Sequence, residues 1–368
     1  MNFKKLGNSD LKVSSYCLGT MTFGETTNEE DAHLQINEAI FKGINFIDTA
    51  EMYPTCPIRK ETGGKTEEVI GNWIGLNKIK RKDIILATKV VGNNFKFIRD
   101  GGPINKKNIR LAIEGSLKRL KTDYIDLYQL HWPNRGSYHF RAYWDFNPLK
   151  QEIKKVKDEF SEIIDELYSL RKLGLIREIG LSNETCWGTM KFSEELKKSY
   201  KDFSVASIQN EYSLMCRLFD YDFNELAVNE NIPLLAYSPL ARGLLTGKYI
   251  GSKIPEGSRL SRDEKIRKIV NDRSELAVKA YIDLANKYEI DPVHMALAFC
   301  NERPFMGSVI FGATNSLQLK KILDGIDTRS SICSLVIINE GDMTHVLNNG
   351  RTIKPNCWQC SLILEPIS

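Results

Sequence analysis

The sequence lacks what would set it apart from an ordinary globular chain. It has no long apolar run. The uncharged stretch around residues 305–317 is too short and too polar to span a bilayer. The opening residues, MNFKKLGNSD, have no apolar run behind their lysines, so no signal peptide and no membrane partner are expected. Charge of one sign is missing too. The 51 basic and 47 acidic residues leave a net +4 over 368 residues, which is no electrostatic footprint for nucleic acid. No two glycines stand two positions apart, so G-x-G-x-x-G fails throughout and a Rossmann nucleotide site is not expected. H-E-x-x-H is absent, the five histidines are scattered, and no metal site is expected. Gly180-Leu-Ser182-Asn-Glu184 lacks the last glycine of a serine-hydrolase elbow. The eight cysteines are mostly isolated, which suits a reducing, cytoplasmic compartment. Cys357-Trp-Gln-Cys360 has C-x-x-C spacing but no second pair and no nearby His, and is read as chance.

Hydrophobic residues are 42% of the chain and charged residues 27%, an average soluble composition. The length allows two or three domains or one enlarged barrel. Short apolar runs at residues 15–18, 44–47, 84–88, 124–130, 176–181, 205–208, 232–236 and 309–311 read as strands. Helical patterns lie between them. Thr27-Asn-Glu-Glu30 reads as a capping box. Leu276, Tyr281, Leu284 and Tyr288 read as the inward face of a long helix. Asp291-Pro292 is an N-cap with Pro at the first helical position, and a short helix should open near Asn315. Eight such units predict a single (β/α)8 TIM barrel over residues 1–328, with an N-terminal β-hairpin. Residues from about 133 to 158 exceed barrel needs and read as an insertion. From 329 to 368 the helical period is lost, and this segment reads as an atypical tail.

Barrel chemistry sits at the C-terminal ends of strands. The runs end in Gly19-Thr20, Asp48, Lys89, His131, Ser182-Asn183, Gln209-Asn210, Tyr237-Ser238 and Gly312. Tyr53 follows five residues behind Asp48. A Lys in an apolar run is seldom buried unless paired, and Asp48 is the natural partner of Lys89. A lysine ammonium beside the Tyr53 phenol would draw its pKa from about 10 towards neutral. Such a Tyr can protonate a carbonyl oxygen as a hydride reaches the carbon, while His131 orients that oxygen. The competing reading makes Asp48–Lys89 a structural ion pair, Tyr53 a loop aromatic and His131 a satisfied rim histidine. Gly243-Leu-Leu-Thr-Gly247-Lys248 falls one residue short of a Walker A loop, yet follows strand seven, where barrels often bind phosphate.

These residues sit in long strings that resemble the aldo-keto reductase superfamily, and look closest to its Tas-like subgroup. The strings are Cys17-Leu-Gly-Thr-Met-Thr-Phe-Gly24, Gly43-Ile-Asn-Phe-Ile-Asp48, Ala50-Glu-Met-Tyr53, Thr122-Asp-Tyr-Ile-Asp-Leu-Tyr-Gln-Leu-His-Trp132, Ile179-Gly-Leu-Ser-Asn-Glu184, Leu235-Ala-Tyr-Ser-Pro-Leu240 and Leu245-Thr-Gly-Lys-Tyr249. The resemblance implies an NADPH (NADP+) oxidoreductase acting on a small carbonyl substrate. It implies Asp48, Tyr53, Lys89 and His131 as the catalytic four, with Asp48 also near the cofactor. The nicotinamide contacts would be Gly19, Thr20, Met21, Ser182, Asn183 and Gln209, with Tyr237 stacked on the ring. The pyrophosphate loop would be Ser238, Pro239, Leu240, Arg242 and Lys248, and Arg259 the 2′-phosphate ligand. Gly312, Thr314 and Gln318 match the adenosine segment. Lys321 and Ile322 depart from the family, which has an acidic residue and Asn there to hold the adenine; Lys321 could instead face the 2′-phosphate. An NADPH-binding regulatory or sensor subunit is the alternative, and a barrel using Lys89 as a Schiff-base nucleophile a third. Oligomeric state is open at this level.

Overall fold

The computed structural model describes residues 1–55 and 57–326. The tail beyond 328, with its C-x-x-C spacing, lies outside the described residues, as does Cys56. Two short strands, β1 (Phe3–Lys5) and β2 (Lys12–Ser14), form an antiparallel hairpin. Eight parallel strands follow: β3 (Tyr16–Gly19), β4 (Phe46–Asp48), β5 (Ile85–Val90), β6 (Ile125–Leu130), β7 (Ile176–Ser182), β8 (Val205–Glu211), β9 (Leu234–Tyr237) and β10 (Met306–Phe311). They close into a barrel in chain order, with β10 pairing back onto β3. This is the (β/α)8 barrel the alternating pattern implied.

The helices outside it are α1 (Glu29–Phe41), α2 (Lys65–Leu76), α3 (Lys106–Leu120), α4 (Ile153–Lys172), α5 (Cys186–Ser199), α6 (Asp222–Glu230), α7 (Arg259–Arg262), α8 (Asp272–Lys287), α9 (Pro292–Asn301) and α10 (Ser316–Asp324). Most bury one stripe, and α9 is buried nearly all round. On α4 the stripe is Val156, Phe160, Ile163, Ile164, Leu167 and Leu170, and each such side chain contributes about 1.5–3 kcal/mol by leaving water. The hairpin plugs the barrel from below. Leu6, Leu11 and Val13 join Cys17, Phe46, Ile85, Leu127, Ala206 and Leu235 in one apolar cluster. Gly7, at φ +58°, lets the turn lie flat: a Cβ there would come within 2.6 Å of the Ala206 carbonyl oxygen.

Four local expectations are corrected. The cap of α1 is Asn28, whose side chain accepts from the Asp31 N–H at 2.8 Å; Thr27 is buried and bonds inward to Thr22. On α8 the buried face is Ser274, Val278, Tyr281 and Ala285, and Leu276 is 58% exposed. The insertion ends before 158, because α4 opens at Ile153. Helix α5 has no counterpart in the sequence reading. Asp291 does cap α9 with Pro292 behind it, and Asn315 caps α10.

Candidate active site

Lys89 is fully buried on β5, on the face that points into the barrel. Its Nζ donates to Asp48 Oδ2 at 2.6 Å and to the Thr49 carbonyl at 2.8 Å. Asp48 Oδ1 accepts from Gln129 Nε2 at 3.0 Å and Gln209 Nε2 at 2.9 Å. Four strands thus converge on one carboxylate, which is how a buried charge becomes tolerable. Burial disfavours the charged form of Lys89, but the Asp48 carboxylate, together with Tyr53 and Cys17, holds the Lys89 pKa above its ordinary value. Gln129 escaped the sequence reading; its signal was an amide inside the run that leads to His131.

Tyr53 stands half-buried on the loop after β4. Lys89 Nζ lies 5.1 Å from its ring centroid. The expected fall of its pKa towards neutral does not occur. Burial pushes the phenol up, Lys89 pulls it down and Asp48 pushes it up again, with a net rise above 10. Burial, the largest of these effects, outweighs the pull of Lys89. At neutral pH the cluster holds a charged Lys89 beside a protonated Tyr53.

His131 follows β6 and is buried. Burial, aided by the Lys89 charge, holds its pKa well below the ordinary value, so the ring is neutral at pH 7. Its Nδ1 has no hydrogen-bond partner among the described residues. The ring lies 5.9 Å from that of Tyr53 and 4.9 Å from that of Trp132. Trp132 in turn meets Phe95 and Phe140 edge-on, giving the mouth an aromatic wall.

Asn183, in the left-handed region at φ +51°, donates to the His131 carbonyl at 2.9 Å and to Ser182 Oγ at 3.0 Å. Its Oδ1 accepts the Tyr237 hydroxyl at 2.7 Å, which fixes the Tyr237 ring at the mouth. Both amide hydrogens of Gln209 go to Asp48 and Gln129, leaving its carbonyl oxygen as an acceptor. Thr20 Oγ1 donates to the Asp48 carbonyl at 2.9 Å, and the Met21 carbonyl accepts from the Thr55 N–H. Gly312 lies so near Gly19 that a Cβ would come within 3.1 Å of its carbonyl oxygen.

Basic groups gather beyond Tyr237. Ser238, Ala241 and Arg242 all take positive φ, as the chain folds tightly past Pro239 and Leu240 into a 3-10 turn at Ala241–Thr246. Arg242 lies 3.7 Å from Glu211, and its Nε has no partner. Arg259 Nε is likewise unpartnered, and its charge is felt at both Arg242 and Tyr53. Lys248 lies over the Tyr249 ring. Thr314 donates from its N–H and its hydroxyl to Gln318 Oε1. Lys321 does not face this cleft: its Nζ pairs with Asp291 at 2.9 Å, and Ile322 is buried in the core.

The insertion is tied to the β7 end by residues the sequence reading did not single out. Arg135 makes a two-pronged ion pair with buried Glu184, and its guanidinium also reaches Thr185 Oγ1. Gly188 leaves the space this pair needs: a Cβ there would fall 2.1 Å from the Arg135 guanidinium. His139 Nε2 bonds the Glu184 carbonyl at 3.0 Å. Burial holds the His139 pKa down at about 4, against the opposing pull of that carbonyl and of Glu211. The unfolded chain takes up this proton near pH 6.5 and the folded chain only near 4. Stability should therefore fall with pH across that window, by about 3 kcal/mol in all. Urea unfolding from pH 7 to 4 checks this: His139→Gln should flatten the pH slope, and parallel profiles would contradict the assignment.

A barrel with titratable groups gathered at its C-terminal mouth is built as an enzyme. The sequence profile of the aldo/keto reductase family matches residues 16–339, and the chain belongs to this family of oxidoreductases. It is 40% identical over 333 residues to "Protein tas" of Escherichia coli, covering 89% of this chain and 93% of that one. It is 31% identical to "Uncharacterized oxidoreductase YrpG" of Bacillus subtilis, over 89% of this chain and 91% of that protein. A "Probable voltage-gated potassium channel subunit beta" of Arabidopsis thaliana is 26% identical, over 92% and 94%. Among the described residues, no helix is long and apolar enough to cross a membrane.

Proposed function

We propose that the chain is an NADPH-dependent reductase of small aldehydes or ketones, with Asp48, Tyr53, Lys89 and His131 as its catalytic residues. The observation that carries this reading is a charged, buried Lys89 set 5.1 Å from the ring of a protonated Tyr53, beside a neutral His131 with an unpartnered ring nitrogen. Bound NADPH supplies the hydride. His131 hydrogen-bonds the carbonyl oxygen and orients it. Tyr53 gives that oxygen its phenolic proton. Lys89 stabilises the phenolate left behind, and Asp48 keeps Lys89 charged and aimed. The same charge argues against a Schiff-base role, which needs a free amine.

The cleft suits an anionic dinucleotide. Arg242, Arg259 and Lys248 outnumber Glu211, and two of their guanidinium nitrogens are buried without partners. Ser238, Pro239, Leu240, Arg242 and Lys248 hold the pyrophosphate in this reading, and Arg259 the 2′-phosphate. Gly19, Thr20, Met21, Ser182, Asn183 and Gln209 border the nicotinamide, with Tyr237 beneath it. Gly312, Thr314 and Gln318 border the adenosine, where Lys321 takes no part. The free thiols of Cys17, Cys186, Cys216 and Cys300 fit a cytoplasmic setting.

The test is a fluorescence titration of the purified chain with NADPH and NADH, followed by a panel of aldehydes. Saturable binding that favours NADPH, with turnover, is expected. Binding with negligible turnover would favour a sensor subunit, the reading that the channel-subunit relative brings. Absence of NADPH binding would sink both.

A further inference from the structure

We infer that Glu51 and Arg99 are a positioning pair that holds Tyr53 against Lys89. The inference rests on the reading of Tyr53 and Lys89 given above. Glu51 is buried two residues before Tyr53. Its Oε1 accepts the Val91 N–H at 2.6 Å and Arg99 Nη2 at 2.5 Å, and its Oε2 accepts Arg99 Nη1 at 2.7 Å. Its own N–H donates to the Lys89 carbonyl at 3.2 Å. One residue thus joins the loop that carries Tyr53 to the strand end that carries Lys89. Arg99 extends the link into the loop of Phe95, part of the aromatic wall.

The Arg99 fork takes both carboxylate oxygens, a geometry that fixes direction as well as distance. The Tyr53 loop has few other ties of this kind to the Lys89 strand: the Thr49 N–H bonds the Ala87 carbonyl, and the Thr49 carbonyl accepts from Lys89 itself. When the fork is lost, Tyr53 moves away from Lys89 and loses the charge that pulls its pKa down. The phenol then titrates at higher pH, and proton transfer is misaligned.

Glu51→Gln, Arg99→Met and the double variant test this in the full chain, with NADPH and a turned-over aldehyde. Each should lower kcat by about 10- to 100-fold, as misplacement of a catalytic group does, while the Kd for NADPH stays at the wild-type value. The limb of kcat/KM on which reduction is lost with rising pH should move to higher pH. The double variant should be no worse than either single one, and Arg99→Lys should recover part of the loss. A purely structural role would reduce the active fraction alike at every pH and leave that limb in place, which would overturn the inference. If Glu51→Gln fails to fold, the Arg99 variants read the same limb. Tyr53→Phe is the control. If it keeps wild-type turnover, the reading of Tyr53 fails, and the inference with it. If it is inactive while the Glu51 and Arg99 variants behave as wild type, the positioning pair alone fails.

Discussion

Tyr53→Phe is expected to lower kcat for carbonyl reduction by about 10²- to 10⁴-fold, the span of general acid catalysis, with NADPH affinity unchanged. The substitution removes one oxygen and keeps the ring. The edge-on packing of the ring against His131 and the Lys89 ammonium near its face depend on the ring alone, so the site should keep its shape. What is lost is the proton. Water is a poor substitute at a mouth walled by Trp132, Phe95 and Phe140. Because the interaction belongs to the transition state, kcat should fall and KM for the carbonyl should hold. Steady-state kinetics on a substrate found in the aldehyde panel, with a parallel NADPH titration, decides the matter. A variant that keeps more than a tenth of wild-type kcat would move the proton donor elsewhere.

Lys89→Met is the change with the largest expected effect on the fold. It leaves the Asp48 carboxylate buried with two amide donors and no cation. Breaking a buried pair from one side typically costs about 3–5 kcal/mol; Gln129 and Gln209 should keep the loss at the lower end of that span. Urea unfolding measures it. Asp48→Leu combined with Lys89→Met should recover a good part of the loss, because removing both charges also removes their desolvation. A double variant less stable than Lys89→Met would contradict this account. In the wild type the sign of the pH dependence follows from the raised Lys89 pKa. Its contribution to stability is fully present below the unfolded value of about 10.4 and is lost only as pH rises through the folded one. Around neutrality the pair should be indifferent to pH, unlike His139.

How far the chain could be read in advance depended on the contrast each residue made with its neighbours. Lys89 stood out because an ammonium interrupts an apolar run. Asp48 and His131 stood out because each ends one. The caps Asp291 and Asn315 are short polar side chains at helix starts, and both hold in the structure. Helix α5 was not legible because its buried face includes Gly188, Thr189 and Ser193, small or polar residues that give no apolar period. Leu276 misled for the opposite reason, being an apolar residue turned to solvent. The cap of α1 slipped by one position because Thr27 and Asn28 are both good caps, and only tertiary bonds to Thr27 decide between them. Gln129, Glu51, Arg99, Arg135 and Glu184 act through partners far away in sequence. No spacing along the chain announces such pairs.

The hairpin floor bears on how the molecule assembles. Leu6 lies beside Gly307, and Gly7 beside Ala206 and Asn231, so the hairpin is completed by segments made much later than itself. Until β8 to β10 arrive, Leu6, Leu11 and Val13 have only the part of their cover that β3 to β6 supply. Joining such distant parts pays its loop-closure entropy before any contact returns it. Sealing of the barrel from below is therefore a late event in folding. A nascent chain arrested before residue 306 would carry a hairpin whose apolar face is only partly covered, open to chaperones or to its neighbours.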